Sequence, residues 1–137
     1  MFSLEKERRQ KYCNEIIHAL EEYSYRYKRY QINFALALCY CTKEETALTE
    51  LVDIKRKTDR FLPLEKNLCC VVFDCIDDES SKKAARSLEI QIQEHCEDEE
   101  CFMRVASSVE YESASIMCNV LFDALEEFLF NANLQKI

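Results

Sequence analysis

The 137-residue chain has no glycine, no tryptophan and a single proline. Average usage of about 7% would supply roughly ten glycines, so the gap excludes several kinds of chemistry. Phosphate loops of the G-x-x-x-x-G-K-[ST] and G-x-G-x-x-G types need glycine to turn tightly and to bring backbone close to the ligand. The nucleophile elbow G-x-S-x-G needs it for a strained turn. Long hydrophobic runs are also missing. The uncharged stretch from Gln31 to Thr42 covers twelve residues, short of the roughly eighteen that a membrane span needs, so no membrane span and a soluble protein are expected. Positive charge is in deficit, with 18 Lys and Arg against 26 Asp and Glu and a net charge of -8. That balance opposes general binding to nucleic acid or an anionic membrane and leaves only a local basic patch for any nucleotide.

What is abundant is cysteine, at nine residues. The odd count and the start Met1-Phe2-Ser3-Leu4-Glu5-Lys6, which has no apolar signal segment, argue against a secreted disulfide framework. A reducing cytoplasm is expected, with the thiols acting as small hydrophobes. The length suits one domain, residues 1–137, large enough to bury a core.

Apolar spacing predicts an amphipathic helix from Leu4 to about Tyr27, on Cys13, Ile16, Ile17, Leu20 and Tyr23 or Ser24. Ile32 to Cys41 is a near-continuous apolar run of strand length, as for a central strand covered on both faces. Thr42 and Glu45 form a capping box that opens a helix ending near Thr58. Arg60–Leu64 and Leu68–Cys75 read as a hairpin around Glu65-Lys66-Asn67, with Pro63 suiting an edge strand. A helix from Asp77 to about Glu94 is striped by Ala84, Ala85, Leu88 and Ile92, and Cys101–Ala106 is a fourth strand. Ser113 or Ser115 opens a last helix striped by Met117, Val120, Leu121, Ala124, Leu125 and Phe128. The expected class is α+β: an N-terminal helix (1–30), a ferredoxin-like βαββαβ core with a four-stranded antiparallel sheet (31–107), and a C-terminal helix (112–131).

That order, together with certain segments, resembles the GGDEF domain of diguanylate cyclases. Tyr25-Arg26-Tyr27-Lys28-Arg29 resembles its basic lead-in and Phe34-Ala35-Leu36-Ala37-Leu38 its first strand. Arg56-Lys57-Thr58-Asp59 is similar to the R-x-x-D that stands five residues before its signature hairpin. Phe102-Met103-Arg104-Val105-Ala106-Ser107 resembles its last core strand, and Leu121-Phe122-Asp123-Ala124-Leu125 the start of its closing helix. The likeness runs from about residue 12 to 131 and implies a nucleotide-cyclase-like fold. The departures fall on the catalytic parts. Glu65-Lys66-Asn67-Leu68-Cys69 stands where the family carries its Gly-Gly-Asp/Glu-Glu-Phe hairpin, and Cys39-Tyr40-Cys41 replaces metal-binding aspartates with poor magnesium ligands. Fourteen residues between Cys41 and Arg56 leave no room for the guanine-binding helix and loop. The resemblance therefore implies a degenerate, shortened domain that is not an enzyme and carries no cofactor. It also implies a site that could remain: Arg56 and Asp59 as ligands for cyclic di-GMP. The guanidinium would donate to guanine O6 and N7, and the carboxylate would accept from N1 and N2, with Lys55, Lys57 and Arg60 adding local positive charge. The same residues also fit a solvated helix end.

Other groupings have plain structural readings beside functional ones. Cys39 and Cys41 share a strand face, and Cys69, Cys70 and Cys75 lie on the strand expected beside it, so a zinc or redox centre is one reading and core packing the other. His95-Cys96 with Cys101 flanks an acidic turn and is a second metal or redox candidate. The acidic cluster Asp74, Asp77, Asp78 and Glu79 fits a helix start. His18 is expected on or beside a buried helix face, and no Cys–His or Ser–His catalytic motif is present. Tyr23, Tyr25, Tyr27 and Tyr30 interleave with Arg26, Lys28 and Arg29, which at this net charge suits partner docking or cation-π packing at the helix end better than single-stranded nucleic acid. The N-terminal helix, with Lys6, Arg8, Arg9 and Lys11 at its start, is the expected site of self-association or of a protein partner. The leading expectation is a noncatalytic cytoplasmic regulatory or protein-interaction module resembling a degenerate GGDEF domain, a homodimer through that helix. A cyclic di-GMP receptor and a cysteine-based metal or redox protein are the alternatives.

Overall fold

A computed structural model describes residues 5–42, 48, 60–74, 78–94 and 101–135. In chain order the elements are α1 (Lys6–Ala19), α2 (Glu21–Tyr30), β1 (Phe34–Cys41), β2 (Arg60–Glu65), β3 (Leu68–Asp74), α3 (Asp78–Gln93), β4 (Cys101–Ser107) and α4 (Ala114–Gln135). The strands form one antiparallel sheet in the order β2-β3-β1-β4. The class is α+β. The expected capping-box helix, apart from Leu48, and Arg56 and Asp59 at its end lie outside the described residues.

The apolar run of β1 becomes the centre of the sheet because both its neighbours and both its faces are covered. Every residue from Phe34 to Cys41 is buried. Phe34, Leu36, Leu38 and Tyr40 join Leu68, Cys70, Val72 and Phe102 in a core closed by Tyr12, Ile16, Leu20 and Tyr23 of the N-terminal helices and by Met117, Leu121, Phe122 and Leu125 of α4. Ala35, Ala37, Cys39 and Cys41 face the other way, into a core with Cys69, Val71, Phe73, Leu48 and, from α3, Leu88 and Ile92. Each fully buried Leu or Phe contributes roughly 1.5–3 kcal/mol of transfer free energy, so the terminal helices are part of the core. The apolar stripe of α1 is consumed inside the chain, and any association through this helix has to use its polar side.

The expected single N-terminal helix is two. Leu20 leaves helical geometry at φ -89° and ψ 2°, though its N–H still reaches the Ile16 carbonyl at 2.9 Å. Both halves thereby keep an apolar residue, Ile16 and Tyr23, on the sheet. Helix α2 ends on Gln31, at φ 58° and ψ 34°. Glycine usually fills this left-handed cap. In a chain without glycine, Gln31 takes it, and it is the only non-glycine residue with positive φ among the described residues. Pro63 sits in the edge strand β2, where a missing N–H costs no ladder bond, next to a register shift between Pro63 and Glu65. Among the described residues no helix is long and apolar enough to cross a membrane.

Candidate functional site

The β2–β3 turn is built by Lys66 and Asn67. Asn67 is buried and sends Nδ2 to the Cys41 carbonyl at 2.9 Å, while the Cys41 N–H donates to the Asn67 carbonyl at 3.0 Å. The Leu48 N–H donates to the Lys66 carbonyl at 3.0 Å. The turn is therefore held against the end of β1 by its own backbone and amide groups.

Glu65, the residue before the turn, is taken by α1. Arg8 Nη2 donates to Glu65 Oε1 at 2.6 Å and to the Tyr12 hydroxyl at 3.1 Å, and that hydroxyl itself donates to Glu65 Oε1. These bonds, from Tyr12 first and Arg8 second, hold the Glu65 carboxyl below its ordinary value. Burial, then the bond to Glu65, pushes the Tyr12 phenol up. Arg9 likewise bridges to α4, reaching Asp123 at 2.8 Å and Glu126 at 2.9 Å. Two of the basic residues expected to serve assembly thus tie α1 to its own chain.

The aromatic and basic strip of α2 divides. Tyr23 is buried against Phe34, with ring centres 5.9 Å apart, and Tyr27 meets the same ring edge-on at 6.4 Å. Arg26 lies over the Tyr23 ring at 4.9 Å and pairs with Asp74 at 3.0 Å. Tyr25 and Tyr30 point outward, 57% and 60% exposed, in edge contact with each other, and Arg29 lies over Tyr30. The period of the helix sets Tyr25 apart from Tyr23 and Tyr27; Tyr30, seven residues after Tyr23, shares their face but is the last residue of α2, before the left-handed Gln31, and is exposed there. His18 corrects an expectation. Its side chain is 84% exposed and 3.4 Å from Glu21, because Ile16 and Leu20 claim the buried side of the helix.

Strand pairing sorts the thiols. Cys39 stands directly opposite Cys69, and Cys41 opposite Cys101, all toward the α3 side of the sheet. Cys70 points to the other side. The hydrogen bond with Cys69, and burial after it, push the Cys39 thiol up, and burial does the same to Cys70. A third pair forms between α1 and α4. Cys118 donates to Cys13 and, with Arg9 nearby, holds the Cys13 thiol below its ordinary value, while Cys118 is pushed up. Cys13 lines a surface cleft with Lys6, Arg9, Gln10, Asn119 and Glu126. Spacing in the sequence gives no hint of the Cys13–Cys118 or Arg8–Tyr12–Glu65 groupings, since their members meet only through tertiary packing.

Arg56 and Asp59, Cys75, and His95 with Cys96 lie outside the described residues. Arg60, from the same basic cluster as Arg56, donates to the Ala19 carbonyl at 3.4 Å. Among the described residues, no group of three or more His, Cys, Asp or Glu side chains is placed to hold a metal ion. Compared with protein-family models, curated proteins and solved structures, the chain matches none.

Proposed function

We propose that this chain is a noncatalytic regulatory module, a ferredoxin-like domain of cyclase-like plan that works by binding a protein partner or a second copy of itself. The strand order β2-β3-β1-β4, with β2 and β3 joined as a hairpin, supports the ferredoxin-like reading. The observation that carries the functional reading is the state of that hairpin. In the family the chain resembles, glycines at this turn open backbone N–H groups to a triphosphate. Here Glu65 is engaged by Arg8 and Tyr12, and Asn67 is buried against Cys41. An approaching phosphate meets a carboxylate and side chains, which repel or exclude it.

The surface best suited to a partner is the outer side of α2, where Tyr25, Lys28, Arg29 and Tyr30 are exposed. Aromatic and arginine side chains are enriched at protein interfaces. Incubation with GTP and magnesium should yield no cyclic dinucleotide; its formation overturns the proposal. Light scattering should find a homodimer that Tyr25→Ser with Tyr30→Ser converts to monomer. A wild-type monomer at every concentration removes self-association and leaves a heterologous partner. Calorimetry with cyclic di-GMP should be silent. Heat that disappears in Arg56→Ala would replace this reading with that of a nucleotide receptor.

A further inference from the structure

We propose that Cys41 and Cys101 form a reversible disulfide site, oxidised by a peroxide and reduced by a dithiol. The Cys101 thiol donates to Cys41 Sγ at 3.8 Å, across strands that pair in register at these two residues. The type of pair follows from the backbone. The Cys41 N–H and carbonyl are both bonded to Asn67, on the β3 side. Toward β4, Cys41 and Cys101 are therefore a non-hydrogen-bonded pair, whose Cα atoms stand about 4.5 Å apart. That separation lies inside the range of about 4.4–6.8 Å that a disulfide spans. Rotation about the Cα–Cβ bonds can bring the sulfurs together without moving the strands. The Cys39–Cys69 pair on the same face lacks access, since both residues are wholly buried. Cys101 is half-buried and lines a cleft with Glu89, Ile92, Gln93 and Met103, so a small oxidant can reach it.

The chemistry balances with hydrogen peroxide as the two-electron oxidant. The Cys101 thiol loses its proton, and its sulfur attacks one peroxide oxygen. The O–O bond breaks, and the hydroxide that leaves takes the proton as water. Cys101 is now a sulfenic acid. The Cys41 sulfur attacks it, an S–S bond forms, and the hydroxyl leaves with the Cys41 proton as a second water. A dithiol reverses the bond by exchange through a mixed disulfide. The product joins the end of β1 to the start of the edge strand β4.

The test uses the full chain, reduced and then given one equivalent of hydrogen peroxide. Remaining thiols are alkylated in denaturant, and the protein is digested without reductant for peptide mass spectrometry. The expected result is a Cys41–Cys101 cross-linked peptide that disappears with dithiothreitol and is absent from Cys101→Ala. In Cys41→Ala, dimedone should label Cys101, since its sulfenic acid has no thiol to resolve it. The proposal is overturned if wild-type Cys101 proceeds to sulfinic acid with Cys41 still alkylated, or if disulfides form only elsewhere, Cys13–Cys118 included. The wild-type mapping decides the matter even where a variant fails to fold, and it is independent of whether the chain binds a partner.

Discussion

Strand β1 sends Phe34, Leu36, Leu38 and Tyr40 to one face of the sheet and Ala35, Ala37, Cys39 and Cys41 to the other, and both faces are buried. The first face is filled by large side chains and closed by α1, α2 and α4, with Tyr12 stacked on Phe122 at 6.4 Å and Phe102 against Phe128 at 5.5 Å. The second is lined at its centre by methyl groups and thiols. Protein interiors reach similar density everywhere, so the small residues require their covering segments to come close. One face is thus held by bulk and the other by fit. The thiols differ in the same way: Cys39 is sealed under its cover, whereas Cys13, at the rim of the bulky core, lines a cleft.

The largest expected effect comes from removing bulk. Leu38→Ala should cost about 2–5 kcal/mol, read as a lower midpoint in urea with unchanged slope. A loss under about 1 kcal/mol would mean that the helices on this face collapse onto the gap, and the contrast between faces would fail. Ala37→Leu tests the opposite face by overfilling it and should cost about 1–3 kcal/mol. A neutral result would show space under α3 that close fit does not allow.

A smaller effect is expected at the hairpin. Glu65→Gln removes the anion from the Arg8–Tyr12 grouping. The carboxyl is 39% exposed, so solvent screening limits its worth to about 1 kcal/mol or less. The folded-state value of Glu65 is below its ordinary one. Its contribution is therefore complete above the ordinary carboxyl value and is lost as pH falls through the lower, folded value. Melting temperatures of wild type and variant should differ at neutral pH and converge in acid; a constant gap would deny the ionic part.

The smallest effect concerns reactivity alone. In the native protein Cys13 should be alkylated faster than Cys39, and its rate should reach a plateau at lower pH than that of an ordinary thiol, because its thiolate is stabilised by Cys118 and Arg9. Peptide-resolved labelling across pH measures this, and equal rates would remove the distinction between a rim thiol and a sealed one.

Much of the fold was legible in advance. The run from Ile32 to Cys41 announced a strand covered on both sides, and Pro63 marked an edge. The size alternation inside that run, Phe-Ala-Leu-Ala-Leu-Cys-Tyr-Cys, already separates the two faces, because successive side chains point oppositely. The break at Leu20 was not legible. It has no proline or other breaker, and it arises where two helices follow one sheet. His18 was misplaced for a related reason, since the apolar stripe alone did not show how far it wraps round α1.

By itself the sequence determined the elements, the central strand and the want of any glycine for a phosphate loop or a helix cap, because these depend on local periodicity and backbone freedom. Only the tertiary structure decided that Gln31 would supply the left-handed cap, that Arg8 and Tyr12 would close over Glu65, and which cysteines would meet. Cys41 and Cys101 are 60 residues apart, as Arg8 and Glu65 are 57. Such meetings are set by strand order and register, which the burial of a whole core selects and no local pattern encodes.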